Sequence, residues 1–211
     1  MINKEDLQLY FIMGSNNTEK NLVQVLQQAI NGGITLFQFR EKGLAAKTDG
    51  EKRDLGLKLR DVCKENNIPF IVNDDTDLAI ALKADGVHIG QNDESILEVK
   101  KRIPEHFCVG VSVSTVEEAI LAENQGADYL GVGPIFATTT KKDALDPIGT
   151  QGLRAIKEKV TIPIVAIGGI SNKNAREIMK AGAAGIAVIS AICQVKNSQT
   201  AALELKKATN L

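Results

Sequence analysis

Gln38, Arg40 and Lys42 stand at alternate positions of the run Ile34-Thr-Leu-Phe-Gln-Phe-Arg-Glu-Lys42, and a β-strand sends alternate side chains to one side of the chain. Leu36 and Ile34 belong to the same series, so this side is apolar at its start and bears two cations at its end. An unpaired charge is expensive in a closed core. It is cheap at the mouth of a barrel that faces an anion. A strand fraying into a solvated loop would read the same way in this segment alone, so the remaining chain has to decide.

Other residues with matching chemistry recur along the chain. Asp74 and Asp93 could jointly hold a hard cation such as Mg2+, which takes oxygen ligands and commonly uses one or two carboxylates with waters and substrate phosphates. Each could instead cap a short helix, since Asp74 precedes Asp75-Thr76 and Asp93 precedes Glu94-Ser95-Ile96. Gly168-Gly169 and Ile189-Ser190 suit a phosphate held by backbone amides and a helix start, against a plainer reading as two tight turns. Thr138, Thr139, Thr140 and Lys141 lie in a loop of about sixteen residues, longer than a plain connection needs. Hydroxyls beside a lysine suit an anion, although a solvated loop has the same composition. A phosphoryl group carries about −1.5 to −2 charges, so a diphosphate with a further phosphate exceeds what Arg40, Lys42 and Lys141 neutralise. A divalent ion closes that gap.

The elements that must position these groups are short apolar runs alternating with helix-period segments, the signature of βα units and a parallel sheet. Eight such runs are read at Leu9 to Met13, Thr35 to Phe39, Phe70 to Val72, Gly86 to Ile89, Phe107 to Val111, Tyr129 to Val132, Ile164 to Ile167 and Gly185 to Ile189. Helical candidates between them include Glu19 to Ile30, Glu51 to Asn66, Val116 to Gln125, Leu153 to Lys159 and Asn174 to Ala181. This spacing over 211 residues predicts an α/β fold, a single (β/α)8 TIM barrel occupying residues 1–211 as one catalytic domain. Barrels place their chemistry where strands end, and the polar residues named above, with Asn73 and Ser112, each follow a strand.

Composition narrows the classes further. Hydrophobic residues make up 44% and charged residues 24%, an ordinary globular balance. Aromatics are 4% with no Trp, and 25 basic residues face 26 acidic ones without a basic block, which argues against nucleic acid as a partner. No apolar stretch approaches membrane-spanning length, the N-terminus lacks the pattern of a signal peptide, and three widely spaced cysteines suit a reducing compartment. A cytoplasmic protein acting on small phosphorylated molecules is expected, with a homo-oligomer left open. His88 sits inside a strand, where a satisfied core imidazole is the commoner role, and no Ser, His and acid set supports nucleophilic catalysis.

Seven ordered segments together resemble the thiamine-phosphate synthase family: Phe37 to Lys42, Val72 to Asp75, Ala84 to Gln91, Gly110 to Ser112, Gly133 to Phe136 with Thr138 to Asp143, Pro163 to Ile170 and Gly185 to Ile192. The resemblance implies Mg2+-dependent transfer of a 4-amino-2-methylpyrimidin-5-ylmethyl group from its diphosphate to the ring nitrogen of a thiazole ethyl phosphate, or its carboxylated form. It implies dissociative loss of pyrophosphate, with Lys141, Arg40 and Ser112 as catalytic groups. The pyrimidine diphosphate would meet Gln38, Phe39, Arg40, Glu41, Lys42, Asn73, Ser112 and Lys141. Thr138, Thr139, Thr140, Gly169, Ile189 and Ser190 would take the thiazole phosphate, with Asp74 and Asp93 on the metal. Ser114 stands where many relatives carry His, and the first strand does not end in Thr-Asp. A thiazole tautomerase on the same barrel, which needs no diphosphate site, and a non-catalytic phosphate-binding module are the rival readings.

Overall fold

The computed structural model describes residues 2–138 and 146–210. Eight strands, β1 (Leu9–Met13), β2 (Leu36–Phe39), β3 (Phe70–Asn73), β4 (Gly86–Ile89), β5 (Cys108–Val113), β6 (Tyr129–Val132), β7 (Ile164–Ile167) and β8 (Gly185–Val188), pair in parallel in sequence order, and β8 pairs with β1 to close the barrel. The helices around it are α1 (Leu22–Asn31), α2 (Asp49–Glu65), α3 (Thr76–Ala81), α4 (Ile96–Arg102), α5 (Val116–Asn124), α6 (Gly149–Lys157), α7 (Ala175–Lys180), α8 (Ser190–Cys193) and α9 (Ser198–Thr209). The (β/α)8 architecture read from the sequence is therefore the one observed.

Because each strand is covered on both faces, its side chains divide between two apolar layers. Phe11, Phe37, Phe39 and Phe70 point outward with Leu26 and Leu59 of the helices, while Tyr10, Ile12, Leu36, Ile71 and Tyr129 fill the cylinder. Ile34 joins the outer layer, so it does not continue the face of Leu36 and Gln38. The reason is local: Gly33 turns with φ of 95° and regular strand begins only at Leu36, so the period of two does not reach back to Ile34.

The strands start and stop close to the expected positions, with one useful difference. β5 runs on to Val113, which makes Ser112 a strand residue on the inner series Cys108, Gly110, Ser112 rather than a loop residue. Helix ends follow ordinary capping chemistry: Asn21 accepts from Gln24 N, Asp75 from Leu78 N, Ser95 from Glu98 N, and Thr115 with Glu118 forms a reciprocal box. Asp75 and Ser95, rather than Asp74 and Asp93, therefore cap the two short helices. That leaves the two upstream aspartates available at the strand ends.

Candidate active site

A cavity of about 490 Å³ opens at the carboxyl ends of the strands. Gln38 and Lys42 of the β2 end, Asp93 after β4 and Ser112 of β5 line one part of it. Thr138, Gly169, Ile189 and Ser190 line another. Two groups of residues from six different βα units thus meet around one space, as the strand-end positions demand.

On the first side, Lys42 Nζ lies 2.5 Å from Asp74 Oδ2 and 3.6 Å from Asp93 Oδ1. Asp74 holds a left-handed backbone, φ 60°, with its N–H donating to His88 O at 2.8 Å, which turns the chain sharply off β3. Asp93 Oδ2 accepts from Gly90 N at 2.9 Å. Burial and the neighbouring Asp93 push the Asp74 carboxyl above the usual range, although Lys42 opposes them. Burial acts the same way on Asp93, but hydrogen bonding from Asp74, the Gly90 N–H and Lys42 outweighs it and holds this carboxyl below the usual range. The hydrogen bond to Asp74 raises the Lys42 ammonium, and the charge of Arg40 is close enough to work against it. Two carboxylates this close to each other, balanced by one lysine, are an oxygen donor set of the kind a hard cation takes. Among the described residues no group of three or more Asp, Glu, His or Cys is arranged to hold a metal. The pair fits Mg2+ only with waters and ligand oxygens completing the shell.

On the second side, Gly168 (φ 102°) and Gly169 (φ 63°) form a turn that has no room for side chains. A Cβ on Gly168 would come within 2.6 Å of Pro134 Cβ, and one on Gly169 within 2.6 Å of Ala137 O. Ile135 N and Phe136 N donate to Ile167 O and Gly168 O at 2.8 and 3.1 Å, so the segment leaving β6 is stitched to the end of β7. Ser190 is the first residue of α8 rather than its cap, and its position after β8 is where barrels commonly hold phosphate.

The remaining expected residues are placed less directly. Arg40 and Asn73 lie beside the cavity at the ends of β2 and β3 without lining it, and the Arg40 side chain makes no hydrogen bond or ion pair among the described residues. Phe39 points outward into the helix layer against Phe70, and Glu41 is buried, accepting from Ser15 N at 2.8 Å, from the Ser15 hydroxyl and from Lys47 N at 2.7 Å. Alternation within β2 explains Phe39, which occupies the series opposite Gln38, whereas Glu41 follows the strand and is held by its bonds to Ser15 and Lys47. Thr139, Thr140 and Lys141 lie outside the described residues. Ser114 lines the cavity, its hydroxyl donating to Glu118 Oε2 at 3.0 Å.

Sequence reasoning did not find the tyrosines. Tyr10 and Tyr129 are buried inside the cylinder and hydrogen-bonded to each other at 3.0 Å, and Tyr129 also meets His88. Their inward register was available from strand alternation. Their meeting was not, because it joins residues of β1 and β6.

Fold and mouth together define a class: an α/β barrel with a cavity of charged and polar groups at the carboxyl ends of its strands. Within that class the match is specific. The model of the TMP-TENI family, thiamine monophosphate synthase, matches residues 9–192, and the chain belongs to this family. It is 53% identical over 202 residues to the thiamine-phosphate synthase of Bacillus cereus (strain 03BB102), covering 93% of this chain and 92% of the relative. It is 50% identical over 206 residues to that of Geobacillus kaustophilus (strain HTA426), covering 97% and 93%. A solved thiamine phosphate pyrophosphorylase from Pyrococcus furiosus superposes with a TM-score of 0.88 at 41% identity, over 98% of this chain and 96% of that one. Among the described residues no helix is long and apolar enough to cross a membrane.

Proposed function

We infer that this chain condenses a (diphosphooxymethyl)pyrimidine with thiazole ethyl phosphate to give thiamine phosphate and pyrophosphate. The observation that carries the reading is one cavity lined both by Lys42 and Asp93, with Asp74 paired to Lys42 beside them, and by the Gly168-Gly169 turn and Ser190, groups suited to a diphosphate and to a monophosphate respectively. In the reaction the C–O bond to the diphosphate breaks, its electron pair leaves with the diphosphate, and the thiazole nitrogen supplies the pair for the new C–N bond. The chemistry asks for charge stabilisation and alignment rather than a strong base.

Lys42, with Arg40 and Lys141, meets the charge that grows on the departing diphosphate. Asp74 and Asp93 would hold Mg2+, which when bound neutralises diphosphate charge and orients the leaving group. Gln38, Asn73 and Ser112 position the pyrimidine half. Thr138, Thr139, Thr140 and the backbone at Gly169, Ile189 and Ser190 hold the thiazole phosphate. Phe39, facing the other way, and Glu41, held by Ser15 and Lys47, support the β2 end from behind.

The test is to mix the purified protein with Mg2+ and both phosphorylated halves and to follow both products. Equal yields of thiamine phosphate and pyrophosphate are expected, with loss of both on chelation of Mg2+. Pyrophosphate release without thiamine phosphate, or neither product, overturns the reading.

A further inference from the structure

Five polar side chains run as an unbroken string across the cylinder at the floor of the cavity. Gln38 Nε2 donates to Tyr10 OH at 2.7 Å, Tyr10 OH lies 3.0 Å from Tyr129 OH, Tyr129 OH lies 3.0 Å from His88 Nδ1, and His88 Nε2 lies 2.9 Å from Ser112 Oγ. Gln38 and Ser112, the two ends, line the cavity, and so do Tyr10 and His88 between them. The interior is cleared for the rings: a Cβ on Gly110 would stand 2.1 Å from Tyr129 Cζ and 2.5 Å from His88 Nδ1, and one on Gly131 would stand 2.9 Å from His88 Cε1. Space this specifically vacated around an imidazole marks its orientation as fixed.

With a neutral imidazole such a string has two consistent senses, and the Gln38 amide, placed with its nitrogen toward Tyr10, selects one. The Gln38 amide nitrogen can only donate, so Tyr10 accepts from it and must spend its own proton on Tyr129. Tyr129 then donates to His88 Nδ1, which makes the proton-bearing nitrogen Nε2, and Nε2–H donates to Ser112 Oγ. The central link also favours this sense, because a phenol is a good donor and a neutral imidazole nitrogen a good acceptor, whereas a phenol oxygen is a poor acceptor. Burial raises both phenols, so each keeps the proton it must donate.

We infer that Tyr10, Tyr129 and His88 form a one-way hydrogen-bond relay across the barrel, set in direction by Gln38, which leaves the Ser112 hydroxyl proton aimed into the cavity as a donor to an acceptor oxygen of the ligand. The three relay residues are positioning residues, since they act through Ser112. The identity of that acceptor as an oxygen of a phosphorylated substrate rests on the reaction proposed above. The direction of the relay does not.

The experiment separates the two. Nitrogen-15 NMR of histidine-labelled, ligand-free protein reads the tautomer of each ring, and the His106→Asn variant assigns the two histidines. His88 is expected as the Nε2–H tautomer; an Nδ1–H tautomer, or a mixture, in the parent protein overturns the relay. In Tyr129→Phe the preference is expected to collapse to a mixture, and its persistence overturns the relay as well. If that variant does not fold, the parent spectrum still decides. Kinetically, Tyr129→Phe is expected to lower kcat/KM about tenfold, the worth of roughly one misdirected hydrogen bond. The same change made in Ser112→Ala should cost less than about twofold, because the donor it directs is already gone. Full additivity in that double mutant overturns the assignment to Ser112. A protein that shows the Nε2–H tautomer yet makes no thiamine phosphate refutes the reaction and leaves the relay standing.

Discussion

Lys42 is the side chain on which the charge balance of the mouth turns, since among the described residues it alone bridges the two aspartates. Replacing it by Met is expected to slow pyrophosphate release about a hundredfold or more, the range seen when one preorganised donor to a developing anion is lost. Rapid-quench measurement of pyrophosphate, with the melting temperature as a control for folding, checks this. Phe39 provides the contrast. It sits in the motif with Gln38 and Lys42 but packs in the outer layer, so Phe39→Leu should cost about 1 kcal/mol of stability and leave KM for both substrates unmoved. A large rise in KM for the pyrimidine diphosphate would show that its ring reaches the ligand after all. The sequence motif could not separate these neighbours, because a contiguous hexapeptide carries both faces of a strand. The alternation that does separate them becomes visible once the strand has definite ends.

The elements place these groups through close approaches that leave no slack. Gly110 lets β5 pass under the Tyr129 and His88 rings, and a methyl group there would overlap both. Gly110→Ala is expected to destabilise by about 1–3 kcal/mol and to displace His88, so activity should fall further than stability does; denaturant titration beside steady-state kinetics reads the two losses separately. At the opposite end of the barrel, Glu123 at the C-terminal end of α5 accepts from Thr161 N, Thr161 Oγ1 and Ile162 N, holding the approach to β7. The hydrogen bonds from the Thr161 hydroxyl and N–H are the main reason that its carboxyl is lowered. A lowered folded-state value means that this stabilisation is present above the unfolded carboxylate value and is lost as pH falls through the folded one. Glu123→Gln should therefore be less stable than the parent at neutral pH, with the gap closing in acid. Melting curves across that range give the answer, and a gap that persists in acid would refute this account.

For the molecule as a whole, barrel closure makes stability a collective property. Cys63, Cys108 and Cys193 are buried free thiols, and burial raises all three, Cys193 up to about 11. They should resist alkylation at neutral pH and react together when denaturant opens the barrel; stepwise labelling by mass spectrometry would contradict a single cooperative opening. Much of this architecture was legible in the sequence. Strands buried on both faces read as short apolar runs, and the strand-end rule located Lys42, Asp93, Gly169 and Ser190. The Tyr10, Tyr129 and His88 string was not legible, because it depends on which inward residues meet across a cylinder, between positions as much as 119 residues apart. α9 lay outside the helices read from the sequence, since it follows the last strand and covers α1 instead of joining two strands.

The lysine lodged between the aspartates has a thermodynamic consequence. Its ammonium is a tethered rival for any soluble cation, so a metal arriving alone must first evict it and strand its charge. A metal arriving with pyrophosphate gives the evicted ammonium a new anion to grasp. Divalent affinity measured by calorimetry should accordingly be weak for the protein by itself and rise steeply when pyrophosphate is added, whereas in Lys42→Met the metal alone should bind more tightly than in the parent.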